Sequence, residues 1–367
     1  MNVGLIIYGS LQHQSGGFLY DRMLADYLIE SGDRVFLFSL PWRSYPRHLL
    51  DNLQTKLIRA IGRSPLDILL QDELNHPSLF GLNLRLKKRF DRPIVSIVHH
   101  LRCMEPRSSF ANAVYRSVER AYLKTVDGCI YNSRHTRDNA AGLIGKPQPH
   151  VVATPGGDRL GRIDDDHLIS ERCRRPGPLQ LLFIGNVIRR KNLDGLLVGL
   201  GRIRQLDWRL NVIGRLDAES SYTAQINDRI KRLGIADKVS LCGSLSDESL
   251  QQYLQSNHLI AMPFTYEGFG IVYLEGMAFG LPALGCCRGG APELIVHGQT
   301  GYLFSPDDYD RLAAVVSHFC EQRGELQKMS LAARRRFDDF PVWRETAGTI
   351  RHFLKEMVSH AKPRTSP

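Results

Sequence analysis

Two glutamates eight positions apart, Glu267 and Glu275, bracket the glycine pair Gly268 and Gly270 in the stretch EGFGIVYLEGMAFG. Paired carboxylates raise the prospect of acid–base cleavage of a glycoside. Distance argues against it. Eight helical residues span about 12 Å, whereas such pairs lie about 5 Å apart in retaining and under about 10 Å in inverting glycosidases. Divided roles fit better. HLIAMPF, just before, reads as a buried strand, and IVYLEGMAF as a buried helix closed by Gly280 and Pro282. The glycines then stand where the helix opens, and free N–H groups with the positive end of the helix dipole favour an anion there. Phe269, Gly270 and Ile271 would supply those amides. Glu267 precedes the helix and is placed to face a ligand. Glu275 lies more than a turn inside, where a buried carboxylate needs hydroxyl donors or a cation. Taken without their neighbours, the two acids read equally as a helix-start acid and a structural glutamate.

The elements that must position this stretch form two series. VGLIIYG, a loop ending in Gly16-Gly17, the helical FLYDRMLADYLIESG and the strand RVFLFSL make a βαβ opening, followed by strands LDILLQ, PIVSIVHH, GCIYNS and HVVATPGG. The polar segment DRLGRIDDDHLISERCRRPGP reads as an interdomain connection. After it the alternation restarts with LQLLFIGN and continues through WRLNVIG, VSLCG, HLIAMPF, PALGCC and GYLF, with helices between. From Asp307 onward the pattern is mainly helical. Two doubly wound units in tandem are expected, with ligands at the carboxyl ends of their strands.

The composition sets limits. The chain has 367 residues, 43% hydrophobic and 23% charged, which suits a soluble two-domain protein. No window reaches the ~18 apolar residues of a spanning helix, and the start MNVGLIIYGS reads as a strand, without the features of a signal peptide. A cytosolic location is expected. Seven cysteines stand at 103, 129, 173, 242, 286, 287 and 320, with no C-x-x-C, and read as reduced thiols. The net charge is +10, and residues 1–155 carry 20 Lys and Arg against 13 Asp and Glu. Such a field suits anionic partners as well as simple solubility.

The pattern from Glu267 onward resembles the C-terminal signature of family-4 retaining glycosyltransferases. E-x7-E is followed by Gly280-Leu281-Pro282, then Gly289-Gly290-Ala291-Pro292-Glu293, then a turn from Gly298 to Gly301. The Gly16-Gly17 loop, the strand end from Pro93 to His99 and the turn from Gly185 to Lys191 fall in the family's order as well. The resemblance implies a GT-B fold, two Rossmann-like doubly wound parallel-sheet domains facing a central cleft. The expected divisions are 1–155 for the acceptor-binding domain, 156–340 for the nucleotide-sugar domain, and 341–367 for a C-terminal helix packing back on the first. It also implies transfer of a sugar from a nucleoside-diphosphate donor, UDP- or GDP-linked, to a hydroxyl of a glycan, lipid or small molecule, with retention and without a metal.

By the same resemblance, Lys191 is the diphosphate cation and Arg190 an additional one. Glu267 meets the donor sugar, His99 hydrogen-bonds near it, Gly16 and Gly17 let the backbone approach the donor, and Glu275 accepts from the ribose hydroxyls. The helix opening of Gly268, Phe269, Gly270 and Ile271 completes the donor site. One position departs. The family usually has Arg directly after the glycine that opens the turn to Lys191, and here Asn186 stands there, an amide with no charge to offer a phosphate. Either Arg189 or Arg190 compensates, or the second cation is missing, which leaves a catalytically weak or inactive nucleotide-sugar-binding module as the alternative.

Two basic segments of the first half, Arg47–Arg63 and Arg85–Arg92, carry apolar residues at helical spacing in the first case and dense charge in the second. They read either as solvated helix faces or as a dock for the anionic inner face of a membrane. A dinucleotide-dependent oxidoreductase is disfavoured because GSLQHQSGGFL lacks G-x-G-x-x-G. No motif with interleaved aromatics indicates nucleic-acid binding.

Overall fold

The computed structural model describes residues 1–146 and 148–361, and it divides into two compact units. The first comprises Met1–Pro155 together with the chain from Trp343 onward, and the second is Gly156–Val342. Residues 362–367, the end of the expected C-terminal segment, lie outside the described residues.

Each unit holds one six-stranded parallel sheet. The first contains β1 (Asn2–Tyr8), β2 (Arg34–Leu40), β3 (Ile68–Asp72), β4 (Ile94–Val98), β5 (Gly128–Tyr131) and β6 (His150–Val152), in the order β2-β1-β3-β4-β5-β6. The second contains β7 (Leu179–Ile184), β8 (Trp208–Ile213), β9 (Val239–Gly243), β10 (Leu259–Met262), β11 (Ala283–Cys286) and β12 (Gly301–Phe304), in the order β12-β11-β10-β7-β8-β9. The central strands β3, β4, β5, β10 and β11 are buried at every position, as strands covered by helices on both faces must be. Strand order reverses between β1 and β3 in one sheet and between β7 and β10 in the other. At such reversals the loops leaving the two strands diverge and open a crevice at the carboxyl edge.

Each sheet has its own apolar core. In the first unit Ile6, Leu69, Leu82, Ile94 and Val98 are enclosed, and in the second Leu181, Phe183, Trp208, Val212, Leu259 and Phe279. The helix Trp343–Ser359 packs on the helix Gly16–Glu30. Arg351 Nε meets Asp33 Oδ2 at 2.6 Å, Thr346 Oγ1 donates to Thr154 O at 2.7 Å, and the Trp343 ring meets Tyr20 edge-on. The seven cysteines are all free thiols.

Three sequence expectations are corrected here. The polar segment after the first sheet is not a linker: it contains the helix Asp166–Arg174, which buries Ile169, Arg172 and Cys173 and packs on the helix Arg323–Phe337. Its apolar residues are few, but they fall on one face. Gly16 and Gly17 do not end a loop but form the first turn of their helix, capped by the Ser15 hydroxyl. The Arg47–Arg63 stretch is not one amphipathic helix. It breaks into the helix Tyr45–Leu50, a turn at Asp51–Leu53 and the helix Lys56–Arg63. The break follows from Asn52, whose buried side chain bonds Pro77 O and the amides of Gly81 and Leu82 and so pins the chain to the neighbouring helix. Among the described residues no helix is long and apolar enough to cross a membrane.

Candidate active site

The reversal between β7 and β10 gathers the charged residues of the second unit. Lys191 follows β7 and Glu267 follows β10, and their side chains meet with Nζ 2.6 Å from Oε2. Arg190 Nη1 lies 3.1 Å from the same oxygen and 3.0 Å from the Tyr266 carbonyl. The Lys191 ammonium also stands 3.9 Å from the centre of the Phe264 ring, on its face. Burial pulls the Lys191 pKa down, Glu267 opposes that, and Arg190 reinforces it. Two cations and one acid therefore share a partly desolvated spot, an arrangement able to receive an anion.

Of the two arginines offered as stand-ins at Asn186, only Arg190 belongs to this cluster. Arg189 turns away, its Nε 3.0 Å from Glu219 and its guanidinium over the Tyr222 ring. Asn186 itself accepts from the Arg215 amide at 3.3 Å.

Beside the cluster the helix Ile271–Ala278 opens at Gly270, whose φ of 98° is one that only glycine adopts without cost. A Cβ there would come within 2.6 Å of the Tyr273 ring. The Tyr273 hydroxyl donates to Met262 O and so ties the helix to the end of β10. Gly289 and Gly290 explain why a second glycine pair follows at a distance. Any Cβ on them would collide with the carbonyl oxygens of Glu267 and Gly268, and Gly290 N donates to Glu267 O at 2.9 Å. The pair braces the Glu267–Gly270 loop from behind.

Glu275 pairs with a different cation. It is 3% exposed, and its Oε1 accepts from Arg159 Nε at 3.1 Å and Nη2 at 2.9 Å. Arg159 Nη1 also pairs with Asp247, at the start of the helix Asp247–Ser256. Burial raises the Glu275 pKa, and Arg159 opposes the rise. Sequence reasoning asked for a cation or hydroxyls at Glu275 but did not find Arg159. No local signal marks it: it follows Gly156-Gly157-Asp158 at the start of a segment taken for a linker.

In the first unit the other reversal, between β1 and β3, sits beside Gly16, Gly17 and His99. A Cβ on Gly17 would lie 3.1 Å from His99 Cδ2, so the glycine is what lets the ring lie against the helix. His99 Nε2 is 3.1 Å from Asp21 Oδ1. Burial opposes the imidazolium, but Asp21, then Asp72 and Glu73, outweigh it and raise His99 to about 9. Burial raises Asp72 to about 8, with Asp21 adding to it. The trios Asp21, Asp72, His99 and Glu73, His76, Glu119 each bring ligand-type atoms within 4.8 Å of one another. Protein partners already engage them. Asp72 accepts from Leu74 N, Glu119 from the amides of Arg102 and Cys103, and His76 Nδ1 contacts Glu73 O. We assign neither trio to a metal.

With this geometry in hand, the comparisons identify the class. The glycosyl transferases group 1 model matches residues 167–336, and the glycosyltransferase family 4 model matches residues 15–158. A sucrose-phosphate synthase from Thermosynechococcus elongatus superposes with a TM-score of 0.81 at 19% identity, covering 98% of this chain and 99% of that one. The fold is GT-B. The chain belongs to the group 1, family-4 glycosyltransferases.

Among curated proteins, it is 25% identical over 277 residues to the glycogen synthase of Mycobacterium tuberculosis, covering 74% of this chain and 64% of that one. It is 27% identical over 254 residues to that organism's GDP-mannose-dependent alpha-(1-6)-phosphatidylinositol monomannoside mannosyltransferase, covering 66% and 65%. The match thus spans a little under two thirds of each relative's length.

Proposed function

We propose that this protein transfers a sugar from a nucleoside-diphosphate donor to an acceptor hydroxyl, with retention at the anomeric carbon and without a metal. The observation that carries the reading is the Lys191–Arg190–Glu267 cluster beside the helix opening at Gly270. The bond from the anomeric carbon to the diphosphate breaks, a bond to the acceptor oxygen forms, and the acceptor proton leaves with the products. Negative charge grows on the departing diphosphate. Lys191, Arg190 and the amides of Phe269, Gly270 and Ile271 stabilise it without reorganising, the electrostatic preorganisation on which such sites depend.

Glu267, which contacts both cations in the free protein and offsets one of their two charges, is assigned to the donor sugar and its developing positive charge. Glu275 accepts from the ribose hydroxyls, with Arg159 orienting its carboxyl group and opposing the effect of burial. His99, Gly16 and Gly17 are assigned to the sugar end of the donor. UDP- and GDP-sugars are the donors expected. Proton NMR of the product tests the stereochemistry: the donor's anomeric configuration is expected to persist, at a rate that EDTA does not change. An inverted product, or loss of turnover on chelation, contradicts the reading.

A membrane-borne acceptor is supported by a surface of the first unit. Leu50, Leu53 and Leu84 are 63%, 75% and 59% exposed, on a helix end, the turn after it and a second helix that Asn52 ties to that turn. Arg85 Nη1 donates to Asn52 O at the same junction, and Arg47, Lys56, Arg59, Lys88 and Arg89 are exposed on the neighbouring segments of the chain. Exposed apolar side chains on segments rich in exposed cations match an anionic bilayer, each basic residue near the surface contributing about 1 kcal/mol. The relative named as a phosphatidylinositol monomannoside mannosyltransferase agrees with a lipid substrate. Co-sedimentation is expected with anionic vesicles and to weaken severalfold in a Leu53→Ser, Leu84→Ser double variant. Equal binding to neutral vesicles, or none to either, contradicts it.

A further inference from the structure

Asp21 is a fully buried acid on the apolar stripe of its helix, at the spacing Phe18, Asp21, Ala25, Leu28. Nothing in the fold requires a charge there, and a buried carboxylate is costly unless something answers it. The described residues supply one partner: Oδ1 meets His99 Nε2 at 3.1 Å, while Oδ2 has none. The rest of His99 is fixed as well. Its carbonyl accepts from Asn132 Nδ2 at 2.8 Å, the Tyr20 ring meets it edge-on, and Gly17 lies against its Cδ2. Among the described residues Nδ1 has no partner.

We propose that Asp21 is a positioning residue: through its bond to Nε2 it fixes the His99 ring so that Nδ1 is the nitrogen presented to the donor. A carboxylate on one ring nitrogen determines the state and direction of the other. The acids facing this bond are Asp72, at the end of β3, and Glu73, in the turn after it. Both lie in the buried half of the unit, both are pushed up by burial, and both favour the imidazolium. The ring therefore keeps a proton on both nitrogens up to about pH 9, and Nδ1 acts as a charged donor of a hydrogen bond. His99 binds its proton more tightly in the folded than in the unfolded state, so its contribution to stability is complete below its ordinary pKa and is lost as pH rises toward about 9. Turnover that depends on the charged ring is lost over the same upper range.

The proposal rests on the assignment of His99 to the donor sugar, so its test separates the two. The His99 ring is followed by NMR against pH in the wild type, in Asp21→Asn and in Asp72→Asn, with His99→Gln identifying the signal. The wild-type midpoint is expected well above the ordinary value of about 6.5. Asp21→Asn should lower it by about one unit or more, cut kcat about tenfold to a hundredfold, leave KM for the donor within about threefold, and bring down the alkaline limb of the rate profile. Asp72→Asn should lower the midpoint by less. A wild-type midpoint at or below the ordinary value overturns the proposal, whether or not the variants fold. So does an unchanged midpoint in Asp21→Asn, or unchanged turnover in Asp21→Asn alongside inactive His99→Gln. Full turnover in His99→Gln instead overturns the assignment of His99, leaving the Asp21–His99 coupling to be judged by the midpoints.

Discussion

Lys191→Ala is expected to reduce turnover about 10²–10³-fold, with a smaller change in KM for the donor. The magnitude is that of removing one preorganised donor from a site where negative charge develops. Lys191 is suited to that role because its surroundings have already stripped much of its water. Its ammonium lies on the Phe264 ring and against Glu267, and a Cβ added at Gly185 would lie 3.6 Å from its Cε. The cost of holding a dehydrated cation is met in folding, not in the reaction. Arg190 remains in the variant, but it also bonds the Tyr266 carbonyl, and a planar guanidinium does not replace a compact ammonium at the same point. Lys191→Arg is therefore expected to recover less than a tenth of the activity. Steady-state kinetics on the two variants checks both statements. A kcat within threefold of wild type in Lys191→Ala contradicts the assignment.

Arg159→Ala is expected to act on stability and on donor affinity together. It leaves Glu275 at 3% exposure without its cation, and breaking a buried pair from one side costs about 3–5 kcal/mol. Arg159 is partly exposed and shares its charge with the exposed Asp247, so the lower end of that range is expected. Burial already lifts the Glu275 pKa, and removing Arg159 lifts it further. A carboxyl whose folded pKa is raised costs most when pH forces it to ionise, so the deficit grows as pH rises above the usual carboxylate range. The shift toward the protonated acid also weakens its capacity to accept from ribose hydroxyls, and KM for the donor rises. Thermal unfolding of both proteins at pH 5 and pH 8, with nucleotide titration, measures the pair of effects. A deficit that shrinks with pH, or donor affinity equal to wild type, contradicts the role given to Arg159.

These two residues mark how far the sequence was legible. The strand end before Glu267 and the helix start at Gly270 could be read because local pattern reveals such boundaries, whereas Lys191 was singled out by the family resemblance. The strands were legible for the same reason: buried parallel strands are short apolar runs, and β3, β4 and β10 are enclosed on both faces. Arg159 was hidden because its partner is 116 positions away and its own segment is polar. The helix Asp166–Arg174 was hidden by the same polarity. Asp21 did leave a signal, a single acid on a stripe of buried apolar residues, but its partner His99 is 78 positions distant. The break at Asn52 depends on hydrogen bonds to a separate helix, which helical periodicity over Arg47–Arg63 does not register. Elements set by local spacing were legible, whereas charges answered across the fold were not.

Asn186 keeps the central claim open to a decisive result, since it withholds the arginine the family usually places there. The most direct measurement is nucleoside-diphosphate release from a panel of UDP- and GDP-sugars, by wild type and by Lys191→Ala. Nucleotide-dependent thermal stabilisation of both proteins is followed in parallel. Release by the wild type from at least one donor, reduced a hundredfold or more in Lys191→Ala, is the predicted result. Tight binding of a nucleotide sugar by the wild type with no release from any donor would contradict it and identify a binding module instead.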